Sequence, residues 1–165
     1  MKKLCSADHP VWAMAFRPFY LLCALYGAFS VLLWGFGFTG TRAISGYLWH
    51  AHEMVWGYAG GIVVAFLLTA VATWTQQPPI RGKFLMWLVG LWLAARLTAF
   101  LPWGIPTGLL GTAFFWLGAY GMWQSVWASR NTRNYIAVAA IVLLGCSHLA
   151  FHYYAWAGDT EPLRP

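Results

Sequence analysis

The sequence predicts an all-α fold, a polytopic membrane bundle of about five transmembrane helices. Two observations carry this. Hydrophobic residues make up 61% of the 165 and charged residues only 8%, against roughly 25% charged in soluble domains. Apolar runs near the 20 residues that a ~30 Å hydrocarbon core requires then recur along the chain, each bounded by Gly, Pro or a polar cluster. Twelve Trp and eight Tyr fit amphipathic rings at the water–lipid boundary or around an interior cavity.

The elements follow in order within a single membrane domain, 1–165. Met1-Lys2-Lys3 has the charge of a signal-peptide start, but Asp8, His9, Arg17 and Pro18 precede the apolar stretch and no small-residue cleavage site follows. The first run, about 19–38, is therefore expected to stay as an anchor, closed by Gly40, Thr41 and Arg42. The second, about 47–74, is long enough to tilt or to extend past the bilayer, and it stops at Pro78-Pro79. The third, about 84–101, contains Arg96 and ends before Pro102. A turn with Pro102, Gly104 and Pro106 joins it to the fourth, about 105–127, as a helical hairpin. A polar stretch, 129–134, precedes the fifth, about 135–157, and Gly158-Asp159-Thr160-Glu161-Pro162 is a polar tail.

The formal charge of +6 comes from Lys and Arg scattered between apolar runs. That pattern excludes a nucleic-acid surface and reads as topology. Five spans put Lys2, Lys3, Arg17, Arg81, Lys83, Arg130 and Arg133 on one side and Arg42 and Arg164 on the other. The positive-inside rule then predicts a cytoplasmic amino terminus and an external carboxyl terminus. Cys5, Cys23 and Cys146 lack the paired spacing of a disulfide framework or thiolate site and are expected to pack as small apolar residues.

This topology turns positions into depths. His50, His52 and Glu53 fall in the outer turns of the second span, and Arg96 falls near the outer end of the third. His148 and His152 fall in the outer half of the fifth, ~13 Å and ~7 Å below its end at helical rise. Six costly side chains thus share one leaflet. His148 and His152, at i and i+4, share a helix face and can approach one metal. His50 and His52 are about 200° apart, so both reach one site only if the helix starts or frays between them. Glu53, about 60° from His50, is placed to hold its ring.

Each residue has an ordinary alternative. A membrane histidine is often satisfied by a carbonyl or hydroxyl, and Trp49-His50 can sit among headgroups; only the coincidence at one depth points to a site. His9, before the first span, is expected to be structural. Arg96 is expected to snorkel to the surface, the alternative being a pair with Glu53 or with an anionic group such as a haem propionate. Met54 and Met122 sit in no Met-rich cluster and are expected to pack in the core. Imidazoles without convergent thiolates suit haem iron, copper or zinc. Two histidines more than a dozen residues apart on one span, the signal of a two-haem cytochrome bundle, are absent. No acid–base pair or nucleophile motif names a reaction.

Several stretches together resemble the NnrS family: Phe16-Arg17-Pro18-Phe19, Trp49-His50-Ala51-His52-Glu53-Met54, and Phe66-Leu67-Leu68-Thr69-Ala70-Val71 continuing to Trp74-Thr75 and Pro78-Pro79. Arg130-Asn131, Arg133-Asn134 and Phe151-His152 extend the match over most of the chain. The resemblance implies a haem- and copper-containing protein of the bacterial cytoplasmic membrane, linked to nitric oxide metabolism or protection during denitrification. It makes His50, His52 and His152 the ligand candidates; Glu53 and Arg96 are expected, on depth and position, to support them. His148 stands where relatives are expected to carry an uncharged polar residue, and joins the set on its spacing alone. Family chains are expected to be more than twice this length, so the match corresponds to roughly their first part. A half-length relative is expected to assemble as a homo-oligomer or with other membrane subunits. The competing reading is a non-catalytic subunit of a respiratory or denitrification complex, in which Gly57, Gly60, Gly61, Gly118 and Gly121 serve as helix contacts.

Overall fold

The computed structural model describes residues 6–102 and 104–159, with side chains to 157. Cys5, Lys2, Lys3, Arg164 and the tail from Thr160 lie outside the described residues. The described residues form helices and loops, with one isolated β-bridge between Gly40 and Ser45.

A 3-10 turn, Pro10–Ala13, leads into α1, Phe16–Gly35. His9 caps that turn, its Nδ1 accepting from the Val11 N–H at 3.2 Å, which is the structural role expected of it. Pro18 is tolerated within the first turn of α1, where its missing N–H has no intrahelical partner to lose. The helix stops at Gly35, three residues short of the expected end, because Gly37 turns the chain with φ of 86°.

The second run is one helical rod, Gly46–Thr75, of 30 residues, with a change of winding inside it. It comprises α2, Gly46–His52; a π-helical segment, Glu53–Ala59; and α3, Gly60–Thr75. Gln76, in the left-handed region at φ 55°, ends it before the two prolines. α4, Lys83–Thr98, and α5, Gly104–Ser129, form the expected hairpin, and α6, Tyr135–Asp159, follows a 3-10 turn at Thr132–Asn134.

Among the described residues, three stretches are long and apolar enough to cross a membrane: Phe16–Gly35, Gly46–Thr75 and Thr132–Ala157. The other two expected spans are helical but do not join them. α4 has 16 residues, about 24 Å at helical rise, short of a ~30 Å core. α5 carries Thr107, Thr112, Gln124 and Ser125 among its apolar residues. Large apolar side chains face outward all round, including Leu21, Trp87 and Ile136 at 63%, 73% and 77% exposure. Water would oppose so continuous an apolar surface; lipid covers it.

α5 is the central helix, packed on α6, α4 and α3, while α1 lies against the π segment and α3. The core between them holds Phe19, Leu68, Leu88, Phe114, Phe115 and Met122. Cys23 packs there as a small apolar residue, and Cys146 is exposed. The glycines of α3 and α5 are contacts inside this chain. Gly60 lies against the Phe115 ring, Gly61 against Cys23 and the Trp92 indole, Gly118 against Val64 and Gly121 against Phe84. Each lets two helices approach where a Cβ would intervene.

Candidate metal centre

The centre starts from Trp49. Its indole is fully buried, packs against Phe38 and Phe100, and donates from Nε1 to the Ala99 carbonyl oxygen at 3.1 Å. That bond ties the start of the rod to the end of α4. Three residues on, the buried His52 turns toward α6, and Glu53 turns toward α1 and α4.

Widening of the helix at Glu53–Ala59 makes room for an ion pair. Arg96 Nη1 donates to Glu53 Oε2 at 2.5 Å, and the Tyr26 hydroxyl donates to the same oxygen at 2.6 Å. Arg96 is 4% exposed, and its guanidinium lies over the Tyr26 and Trp92 rings at 5.8 and 6.0 Å. The expected snorkelling is therefore overturned. With a carboxylate in reach at its own depth, a buried pair keeps both charges satisfied, whereas extension to the surface would strand Glu53. Gly57 is required beside it, since a Cβ there would run into Arg96 Nη1 and Glu53 Oε2. The Gly57 carbonyl oxygen in the widened turn accepts from Trp92 Nε1 at 2.9 Å.

The other carboxylate oxygen of Glu53, Oε1, lies 2.7 Å from His52 Nδ1. A carboxylate held by Arg96 can only accept, so Nδ1 carries the proton and Nε2 presents a lone pair. Glu53 thus orients His52, not His50 as expected. His52 Nε2 points at α6, where His148 Nε2 and His152 Nε2 each lie 3.0 Å away. His148 is held in turn at 3.1 Å from Nδ1 to Thr112 Oγ1. Trp56 and Phe151 wall the cluster: Trp56 is anchored from Nε1 to Ser147 Oγ at 3.1 Å, and Phe151 stacks on His52. Glycines on α5 clear the ring volumes. A Cβ at Gly108 would lie 3.0 Å from His152, and one at Gly111 would overlap His148.

Of the four histidines expected to ligate, the structure brings three together. Ligand nitrogens of His52, His148 and His152, all buried, lie within 4.8 Å of one another. An ion about 2.0–2.1 Å from each of three imidazoles in tetrahedral geometry sets those nitrogens about 3.3 Å apart, and His52 Nε2 already lies 3.0 Å from each of the other two. His50 lies elsewhere: the rod runs helically through both residues, so the angular separation holds, and His50 stacks on Trp34 at 4.5 Å. The three packed rings leave no gap for a porphyrin between them.

Tyr26, Thr112, Gly108 and Gly111 were not singled out by the sequence, and Gly57 was expected only as a helix contact. Tyr26 and Thr112 share the depth of the histidines on their own helices, which is the one signal that could have found them. The glycines carry none, because their role is the volume they leave to residues distant in sequence.

The family model described as NnrS protein matches residues 10–164. No curated protein and no solved structure matches the chain. The match spans nearly the whole sequence and includes every residue of the cluster, and on that ground the chain belongs to the NnrS family.

Proposed function

We propose that the protein is a metal-binding membrane protein of nitric oxide metabolism or protection, holding one copper ion between His52, His148 and His152. Family membership supports the nitric oxide link. The convergence of three imidazole nitrogens on one point, two of them fixed from behind by Glu53 and Thr112, supports the ion. Carboxylate and hydroxyl partners on the far ring nitrogen are the usual support of metal-bound histidine. The donor set is all imidazole, which suits copper or zinc. Glu53 and Arg96 cancel each other's charge, so the centre would carry the ion's full charge within the bilayer, and monovalent copper is the less costly. Bound there, copper would supply an open position for a diatomic gas. Glu53 would keep the His52 proton on Nδ1, and Trp56 and Phe151 would exclude water.

We further infer a single membrane domain of five spans, with α4 and α5 completing the bundle, in the bacterial cytoplasmic membrane. The amino terminus is inside, and further copies or other membrane subunits are its partners. The haem implied by the family does not fit among the triad rings. His50, whose Nδ1 is buried and has no hydrogen-bond partner among the described residues, is the imidazole available for one.

Purified protein in lipid nanodiscs tests the reading. One equivalent of copper retained through desalting is expected, lost on His52→Ala or His148→Ala and kept on His50→Ala. Folded protein that binds no copper, or that binds it equally after His52→Ala, defeats the proposal. A Soret band that disappears on His50→Ala is the result expected if haem sits there.

A further inference from the structure

Glu53 turns its two oxygens to different tasks. Oε1 lies 2.7 Å from His52 Nδ1, while Oε2 accepts from two other helices, from Arg96 Nη1 at 2.5 Å and from the Tyr26 hydroxyl at 2.6 Å. The two donors are not alike. Arg96 balances the charge of Glu53, and its removal would strand a fully buried carboxylate. Tyr26 adds no charge. Its ring stands edge-on to Trp92 at 5.5 Å, tilts against Phe29 at 6.3 Å and lies beneath the Arg96 guanidinium at 5.8 Å. A phenylalanine ring would make the same contacts, so packing accounts for the ring and leaves the hydroxyl to be explained.

We propose that Tyr26 is a positioning residue acting through Glu53: its hydroxyl sets how strongly the carboxylate pulls on the His52 Nδ1 proton, and so how much electron density Nε2 offers a metal. The consequence for the metal rests on the reading above. The two oxygens of Glu53 share one delocalised charge, and each hydrogen bond accepted at Oε2 leaves Oε1 a weaker acceptor. At 2.6 Å the Tyr26 bond is as short as a hydroxyl bond to an ionised carboxylate is, about 2.5–2.7 Å. It therefore draws a real share of that charge. Without the hydroxyl, Glu53 would hold the Nδ1 proton more tightly, and His52 would become the more basic ligand. The proton stays on Nδ1 in either case. The lever acts on His52 alone of the three histidines. His148 Nδ1 lies against the neutral hydroxyl of Thr112 at 3.1 Å, and His152 Nδ1 has no hydrogen-bond partner among the described residues.

The bond is read first without metal, from the His52 Nδ1–H proton resonance of the full isotope-labelled chain in nanodiscs. Tyr26→Phe is expected to move it downfield, as the bond to Glu53 tightens. Replacing Tyr26 by 3-fluorotyrosine, whose hydroxyl is the stronger donor, is expected to move it upfield. A ring that only packs would give no such opposed pair. The second reading uses Cu(I) as the metal and carbon monoxide as the probe. A more basic His52 makes the copper richer, so the carbon monoxide stretch is expected to fall on Tyr26→Phe and to rise with the fluorinated ring. If Tyr26→Phe does not fold, the fluorinated ring against tyrosine decides both readings. A proton resonance that stays in place, or that moves the same way in both variants, overturns the proposal. A carbon monoxide stretch unchanged in copper-loaded protein whose proton resonance does move overturns its metal half. Failure of the unsubstituted chain to bind Cu(I) overturns the metal reading itself, and the metal-free resonance still decides whether Tyr26 acts on His52.

Discussion

Glu53 serves three partners at once. One oxygen orients His52, and the other accepts from both Arg96 and Tyr26. Glu53→Gln keeps the shape and removes the charge, which strands a buried guanidinium and weakens the bond that fixes His52. Breaking a buried pair from one side costs about 3–5 kcal/mol, and losing a carboxylate behind a metal-bound histidine costs about 10–100-fold in affinity. Equilibrium unfolding in mild detergent and copper titration are expected to show both losses. A variant as stable and as tight as the parent would leave Glu53 with no part in the centre. Glycines give a sharper contrast. Gly57→Ala puts a methyl into the Arg96–Glu53 contact and is expected to cost about 1–3 kcal/mol. A methyl on Gly90 would meet nothing within 4 Å, and Gly90→Ala is expected to gain up to about 1 kcal/mol. Equal effects would mean the crowding at Gly57 is unimportant. At this scale the sequence was legible wherever a side chain is costly in lipid: His52, Glu53, Arg96, His148 and His152 announce themselves by charge or imidazole. It was not legible for Tyr26 and Thr112, which resemble ordinary membrane residues until a partner is known.

The π-helical segment is the element on which the centre depends. Seven residues of wider winding let Glu53 and Gly57 face Arg96 together, and the Gly57 carbonyl oxygen is satisfied by Trp92. Trp92→Phe removes the indole donor to that carbonyl, at about 0.5–1.5 kcal/mol. Hydrogen exchange is expected to quicken around Glu53–Ala59 more than at the far end of α3; uniform exchange would show that the indole does not hold the widened turn. Helix existence and approximate ends were readable from apolar run length and from Pro78-Pro79, Pro102 and Gly40. The change of winding was not, because an inserted π turn leaves the apolar run unbroken. Regular 100° steps put Glu53 nearer His50 in angle, while the structure gives it to His52, the carboxylate reaching its immediate neighbour's Nδ1.

At the scale of the whole molecule, residues from α1, the second rod, α4, α5 and α6 meet at one level, and each helix supplies one part. The Tyr26 hydroxyl comes from α1, His52 and Glu53 from the rod, Arg96 from α4, Thr112 from α5, and His148 with His152 from α6. This convergence was legible in the sequence for three of the five helices, because a common level follows from topology alone. The 200° between His50 and His52 was legible too, but which of the two faces α6 was not, and the structure gives that place to His52. A centre assembled from five helices couples metal binding to folding of the bundle. Saturating copper at about 100 times Kd is expected to stabilise the protein by about 2.7 kcal/mol, and His148→Ala to abolish that gain. The central claim is that one ion binds three imidazoles of this chain, and X-ray absorption at the copper edge tests it most directly. Three imidazole nitrogens near ~2.0 Å, falling to two in His152→Ala, are the result predicted. Sulfur ligation, or a coordination shell unchanged by that substitution, would contradict it.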